Sequence, residues 1–300
     1  MGKLALTLLL CIAVYQYILA GDEQQLVHMS NQQIDSLLSV TAGKNMTITE
    51  RMNMYSRLFL KMPYDLACAG DGPYALMETQ PLVNFRETNC MVFCEHVLAL
   101  SISDSWDNFF NNLQQIRYKD GMIGMRTRNH YTMGDWLPEN RWLLDDVTLR
   151  VGVNVTKQVT RTIAHSNFFK GKGITDLRYV KPDRKMTIDY IPSENLKEIK
   201  SKLNVGDIGS LIFANKTDIF SAHMWLVAEK DGKIVIRESS NSKMTTFDTP
   251  YEEWCEKIAG STKYIGIAVM RVRDDLNQPG KIILPWEITG IKGTLRLKYP

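Results

Sequence analysis

Beyond its first twenty residues the sequence holds no apolar run of the ~20 residues that a bilayer-spanning helix needs. It also lacks a basic stretch interleaved with aromatics. Its 36 Lys and Arg stand against 33 Asp and Glu, a net charge of +3 with both signs dispersed. Nucleic-acid binding therefore gets no support, whereas a modest positive balance suits an anionic polymer. There is no internal repeat, no low-complexity linker and no shift of composition that marks a domain boundary. Cysteine is scarce: beyond Cys11 the chain carries only Cys68, Cys90, Cys94 and Cys255. So few cannot be the main source of stability in 300 residues that are 44% hydrophobic, enough for a sizeable apolar core. Two disulfides, or a Cys68–Cys255 bridge with Cys90 left free, stay open at this point.

The first residues differ from the rest. Lys3 precedes an uncharged run from Leu4 to Leu19, followed by Ala20 and Gly21. That is the pattern of a secretory signal peptide cleaved after Ala20; an uncleaved anchor is the alternative. The expected organisation is a signal peptide over 1–20 and a single domain over 21–300, secreted or periplasmic, with no stable membrane insertion once the signal is removed. Three sequons, at Asn45, Asn154 and Asn215, matter only in a host that glycosylates.

Ser30 and Gln33 have capping-box spacing ahead of Ile34, Leu37 and Leu38, which predicts a helix ending at Gly43. A second helix starts at Thr47 or Thr49, with Met52, Tyr55, Leu58 and Phe59 on one side. Residues 61–86 carry three prolines and two glycines and read as a long loop that walls a site. A further helix is expected from Ser105 to Ile116. After it comes a segment rich in Arg and aromatics, through Arg128, His130, Tyr131 and Trp136, with no clean period. Such composition marks binding surfaces. Strands are expected over 151–159, 187–191, 208–214, 220–228, 233–237 and 264–272, with helical pieces at 194–203 and 251–259. A helical first half followed by a strand-rich second half predicts an α+β fold.

Chemistry is concentrated at Glu87–Leu100. Asn89 is a good N-cap, and Phe93, Val97 and Leu100 are spaced to bury one helix face, so Cys90 falls at the first helical position. The free N–H groups and dipole there favour a thiolate, which makes Cys90 the candidate nucleophile. Among five histidines, His96 lies about 9 Å along the same helix, too far to act as its base. The same geometry argues against a metal site built from Cys90, Cys94 and His96. His28 and His165 read as surface residues. His223 lies on a strand that an Asp-Gly-containing turn joins to the next, a β-hairpin signal. A four-residue loop sets His223 opposite Glu238, and a two-residue turn sets it opposite Ser240. Either supplies a polar group to orient the imidazole.

The order of these motifs resembles a known family. Pro63-Tyr64, Asn89-Cys90-Met91-Val92-Phe93-Cys94-Glu95, Ile116 to Gly121, Arg128-Asn129-His130-Tyr131 with Trp136, Tyr190-Ile191-Pro192, Gly206-Asp207-Ile208 and His223 are similar to the N-acetylmuramoyl-L-alanine amidase-like family, DUF1460. The resemblance implies a papain-like NlpC/P60-type fold and cleavage of amide bonds in peptidoglycan or muropeptides, with no cofactor and no metal. Carried over, Cys90 is the nucleophile, His223 the base and Glu238 or Ser240 the third member. Tyr64, Arg128, His130, Tyr131 and Trp136 become substrate-binding positions. Met91-Val92 and Met224-Trp225 depart from the family pattern, and Trp225 is expected to reshape the pocket. Two rival readings remain: a stem-peptide endopeptidase, and a non-catalytic secreted protein that binds wall fragments.

Overall fold

A computed structural model describes residues 25–298, with side chains to residue 295. The signal peptide expected over 1–20 lies outside the described residues. Two capping boxes open the fold. Ser30 caps α1 (Asn31–Ala42) with Gln33, and Thr47 caps α2 (Ile48–Arg57) with Glu50, each satisfying two backbone N–H groups at a helix start. Next come α3 (Cys90–Ser101), capped by Asn89, and α4 (Trp106–Arg117), capped by Ser105. The α3 helix is apolar nearly all round, as a helix enclosed on every side must be. Fully buried Arg51 ties α2 to the end of α3 by donating to the Met46, Ser101 and Lys281 carbonyls.

The strands are β1 (Leu144–Asp146), β2 (Lys157–Ile163), β3 (Arg184–Pro192), β4 (Ile208–Phe213), β5 (Ser221–Lys230), β6 (Lys233–Ser240), β7 (Thr245–Pro250) and β8 (Tyr264–Val272). They form one antiparallel sheet in the order β2-β3-β8-β4-β5-β6-β7, with β1 beside the far end of β8. Period-2 alternation divides the core between its two faces. Leu226, Ala268 and Met270 join the cluster that contains Phe93, Val97 and Leu98 of α3. Trp225, Val227, Ile267 and Val269 join a second cluster, with Leu196, Ile199 and the helix α7 (Tyr251–Ala259). The α+β expectation and the antiparallel sheet therefore hold.

Several boundaries differ from the sequence reading. The strand expected over 151–159 is instead a short helix α5 (Thr148–Gly152), a turn, and β2 from Lys157. Val153 stands at φ 48°, a conformation no strand accommodates, so the chain turns there. The piece at Ser193–Lys202 is a 3-10 coil. Four of these elements had no clear sequence signal: β1, β7, α6 (His165–Gly171) and α8 (Ile288–Lys298). Among the described residues no helix is long and apolar enough to cross a membrane.

Candidate active site

Asn89 Oδ1 accepts from the N–H groups of Met91 and Val92, at 3.0 and 2.9 Å, and so fixes the first turn of α3 with Cys90 at its first position. The cap engages these two donors rather than the N–H of Cys90. The helix packs across β5 and β6, which carry His223 and Glu238. His223 Nε2 lies 2.6 Å from Glu238 Oε2, both side chains largely buried. That contact leaves Nδ1 as the ring nitrogen available to the Cys90 thiol, close enough that each group shifts the other's ionisation. The result is a thiol–imidazole–carboxylate chain spanning one helix and two strands.

Electrostatics single out Cys90. Burial alone would raise its pKa, but the charge and hydrogen bond of His223, with the Met224 and Met91 N–H groups, outweigh burial and bring it below the ordinary thiol value. Burial likewise opposes the charged form of His223, yet Cys90 and then Glu238 raise its pKa above the usual imidazole value. The other described cysteines shift the opposite way. Burial pushes Cys68 up to about 12 and raises both Cys94 and Cys255. All four described cysteines are free thiols, so among the described residues there is neither a Cys68–Cys255 bridge nor a disulfide at Cys90.

The hairpin separates two choices that the sequence had linked. Lys230 pairs with Lys233 across a two-residue Asp231-Gly232 turn, both residues at positive φ as a type I′ turn requires. Leu226 lies opposite Arg237. The ladder ends there, short of His223, and the imidazole takes Glu238 as its partner. Ser240 is turned elsewhere. Its hydroxyl lies 3.1 Å from Ser242 Oγ and accepts the Ser242 N–H, which braces the β6–β7 turn. Ser240 is thus corrected from triad candidate to turn brace.

The substrate-binding candidates scatter. Tyr64 is half-buried next to Cys90: burial and then the Cys90 charge raise its phenol pKa. Arg128 and His130 line a cavity of about 380 Å³ beside the start of α3, together with Leu66 and Gln80 of the long loop. Arg128 is already occupied by Asp71 and by Glu78, the latter at 2.5 Å. His130 Nε2 donates to the Met125 carbonyl at 2.7 Å, and burial pushes its pKa down to about 4, so it is neutral at pH 7. Tyr131 packs its ring edge-on against His165, with centroids 5.1 Å apart, and does not line the cavity. Trp136 is fully buried in the main core and offers no surface to a substrate, which corrects that expectation.

Two further corrections concern residues read by type alone. Trp225 does not reshape the pocket, because its indole lies over Gly209 and against Trp254 in the second core. A Cβ on Gly209 would stand 1.9 Å from the indole, so only glycine fits opposite this tryptophan. His165 is 2% exposed rather than on the surface, and its Nε2 contacts both Asp135 carboxylate oxygens at 2.9 and 3.0 Å. Sequence reasoning also missed the buried Glu95–Arg117 pair. A lone glutamate in the otherwise apolar run of α3 was the signal for it.

A family model described as N-acetylmuramoyl-L-alanine amidase-like matches residues 54–261. A solved protein of Legionella pneumophila, placed in DUF1460, shares the fold with a TM-score of 0.76 at 20% identity, over 85% of this chain and 96% of that one. An N-acetylmuramoyl-L-alanine amidase from Bacteroides uniformis gives a TM-score of 0.59 at 23% identity, over 76% of this chain and 99% of its own. Likeness at such identities concerns the fold alone. No curated protein matches the chain. With the family model spanning well over half of the sequence, this chain belongs to the N-acetylmuramoyl-L-alanine amidase-like family, DUF1460.

Proposed function

We propose that this protein is an exported cysteine hydrolase that cleaves amide bonds in peptidoglycan or its muropeptide fragments. The observation that carries the reading is the chain from Cys90 through His223 to Glu238, with the thiol favoured as thiolate. A cysteine at a helix start facing a histidine on a strand supports a papain-like, NlpC/P60-type relationship. The Cys90 thiolate attacks the amide carbonyl carbon, and the carbonyl oxygen becomes an oxyanion. The Cys90 N–H, which the Asn89 cap does not use, is its natural donor. His223 passes its proton to the leaving amine as the C–N bond breaks, giving a thioester. Water then attacks that thioester, His223 takes the water proton, and the acid product leaves as the thiol is restored. Glu238 holds the imidazole in orientation and stabilises its charged form. Export rests on the Lys3–Gly21 segment.

The test is to incubate the wild type and Cys90→Ala with purified peptidoglycan and muropeptides and to identify the products by mass. A new amine-terminated fragment that disappears in the variant supports the reading. Equal turnover by both proteins overturns the assigned nucleophile.

A further inference from the structure

The cavity beside α3 is lined by a buried cation that the triad does not use. Arg117, on the last turn of α4, has its side chain 3% exposed and forms part of the cavity lining. Its Nε donates to Glu95 at 2.7 Å and its Nη1 to the Leu82 carbonyl at 2.6 Å. Nη2 is buried, and its N–H groups meet no acceptor among the described residues. Leaving such donors unmet is costly, and native folds rarely do so without purpose. The neighbouring cations are differently placed: both Nη groups of Arg128 rest on carboxylates, and Lys172 lies 2.8 Å from Glu78. The arginine expected from sequence to grip the substrate thus has both Nη groups engaged and only its buried Nε unmet, while Arg117, outside that signature segment, has a whole Nη2 group to offer.

We infer that this cavity is the subsite for the peptide moiety of the substrate, with Arg117 Nη2 donating to a carboxylate or carbonyl oxygen of an amino-acid residue. The inference rests on the amide-cleaving reading above. Position supports it: Asn89, Met91 and Val92 bound the cavity, which places it against the first turn of α3 that Cys90 opens, beside the triad rather than lined by it. Size supports it too. About 380 Å³ is at the small end of ligand pockets, suited to about one or two amino-acid residues rather than a whole sugar–peptide unit. Leu66, 76% exposed, adds an apolar lip at the same wall.

The test is calorimetric titration of N-acetyl-alanyl-glutamic acid, and separately its diamide, into the Cys90→Ala protein, which binds without turnover. Arg117→Lys keeps a cation for Glu95 but loses the guanidinium fork, and Ala69→Trp fills the cavity while leaving the Arg117–Glu95 pair intact. Binding of a dipeptide that weakens at least ~10-fold in Arg117→Lys and is abolished by Ala69→Trp supports the subsite. A tighter acid form identifies a carboxylate as the acceptor, and equal affinities identify a carbonyl. No binding of either dipeptide, or equal binding by all three proteins, overturns it. Turnover of muropeptides by the Cys90-intact protein, measured in parallel, separates the two ideas. Turnover with Arg117-independent binding removes the subsite alone, whereas Arg117-dependent binding without turnover removes the amidase reading alone.

Discussion

Four buried or half-buried thiols in one fold take opposite directions, and the difference lies in what each sulfur faces. Cys68, Cys94 and Cys255 meet surroundings that favour the neutral thiol, while Cys90 meets an imidazole and two backbone donors. Removing the imidazole should reverse that balance. His223→Ala is expected to slow Cys90 alkylation by iodoacetamide at pH 6.5 by ~10-fold or more, since each pKa unit is a tenfold change in thiolate. Glu238→Gln retains a hydrogen-bonding partner for the imidazole but loses the charge, and should lower kcat by roughly 10- to 100-fold with KM little changed. Ser240→Ala should leave kcat within about twofold, because its hydroxyl serves the β6–β7 turn. Cys90 and His223 were legible in sequence because a capped helix start and an Asp-Gly hairpin are local signals. The choice between Glu238 and Ser240 was not, because the β5–β6 ladder ends before His223 and side-chain reach alone decides the partner.

Elements position these residues, and their placement has its own energetics. The Asn89 cap satisfies two orphan donors, and Asn89→Ala should cost about 1 kcal/mol in urea unfolding while also raising the Cys90 pKa through a loosened first turn. A larger penalty is expected at the β4–β5 pair. Gly209→Ala drives a methyl into the Trp225 indole and should destabilise by several kcal/mol, about the scale of an overpacked core, without altering the pH profile of whatever folded protein remains. Helix starts and most strands could be read from caps and alternation. The long loop could be recognised as a wall, but the carboxylates by which it holds Arg128, Asp71 and Glu78, could not. Contacts between residues fifty or more positions apart leave no periodic trace. The same holds for His165, whose polar neighbours in sequence suggested solvent and whose partner Asp135 lies on a different element.

At the scale of the molecule, helices on both faces of one sheet bury two apolar clusters, and a few titratable groups lie within them. His96 is fully buried among Phe59, Phe85 and Phe109, and burial pushes its pKa down to about 3. An unfolded histidine binds its proton near pH 6.5, so between that value and about 3 the unfolded chain holds the extra proton. Stability contributed by neutral His96 is therefore present above pH 6.5 and is lost as pH falls toward 3. The urea midpoint should drop over this range, and His96→Phe should flatten the slope by up to one proton. His223 runs the other way. Its raised folded pKa contributes stability below pH 6.5 that is lost as pH rises through the folded value.

These charges converge on one observable, the ionisation of Cys90 in the folded protein. The most direct measurement is the rate of Cys90 carboxymethylation by iodoacetamide as a function of pH, with the modified residue identified by mass. A thiolate held by His223 predicts a reaction that remains fast well below pH 8.5, the usual thiol range, with Cys68, Cys94 and Cys255 unmodified under the same conditions. A Cys90 that titrates at or above the ordinary thiol value, or that reacts no faster than the other three, would contradict the account.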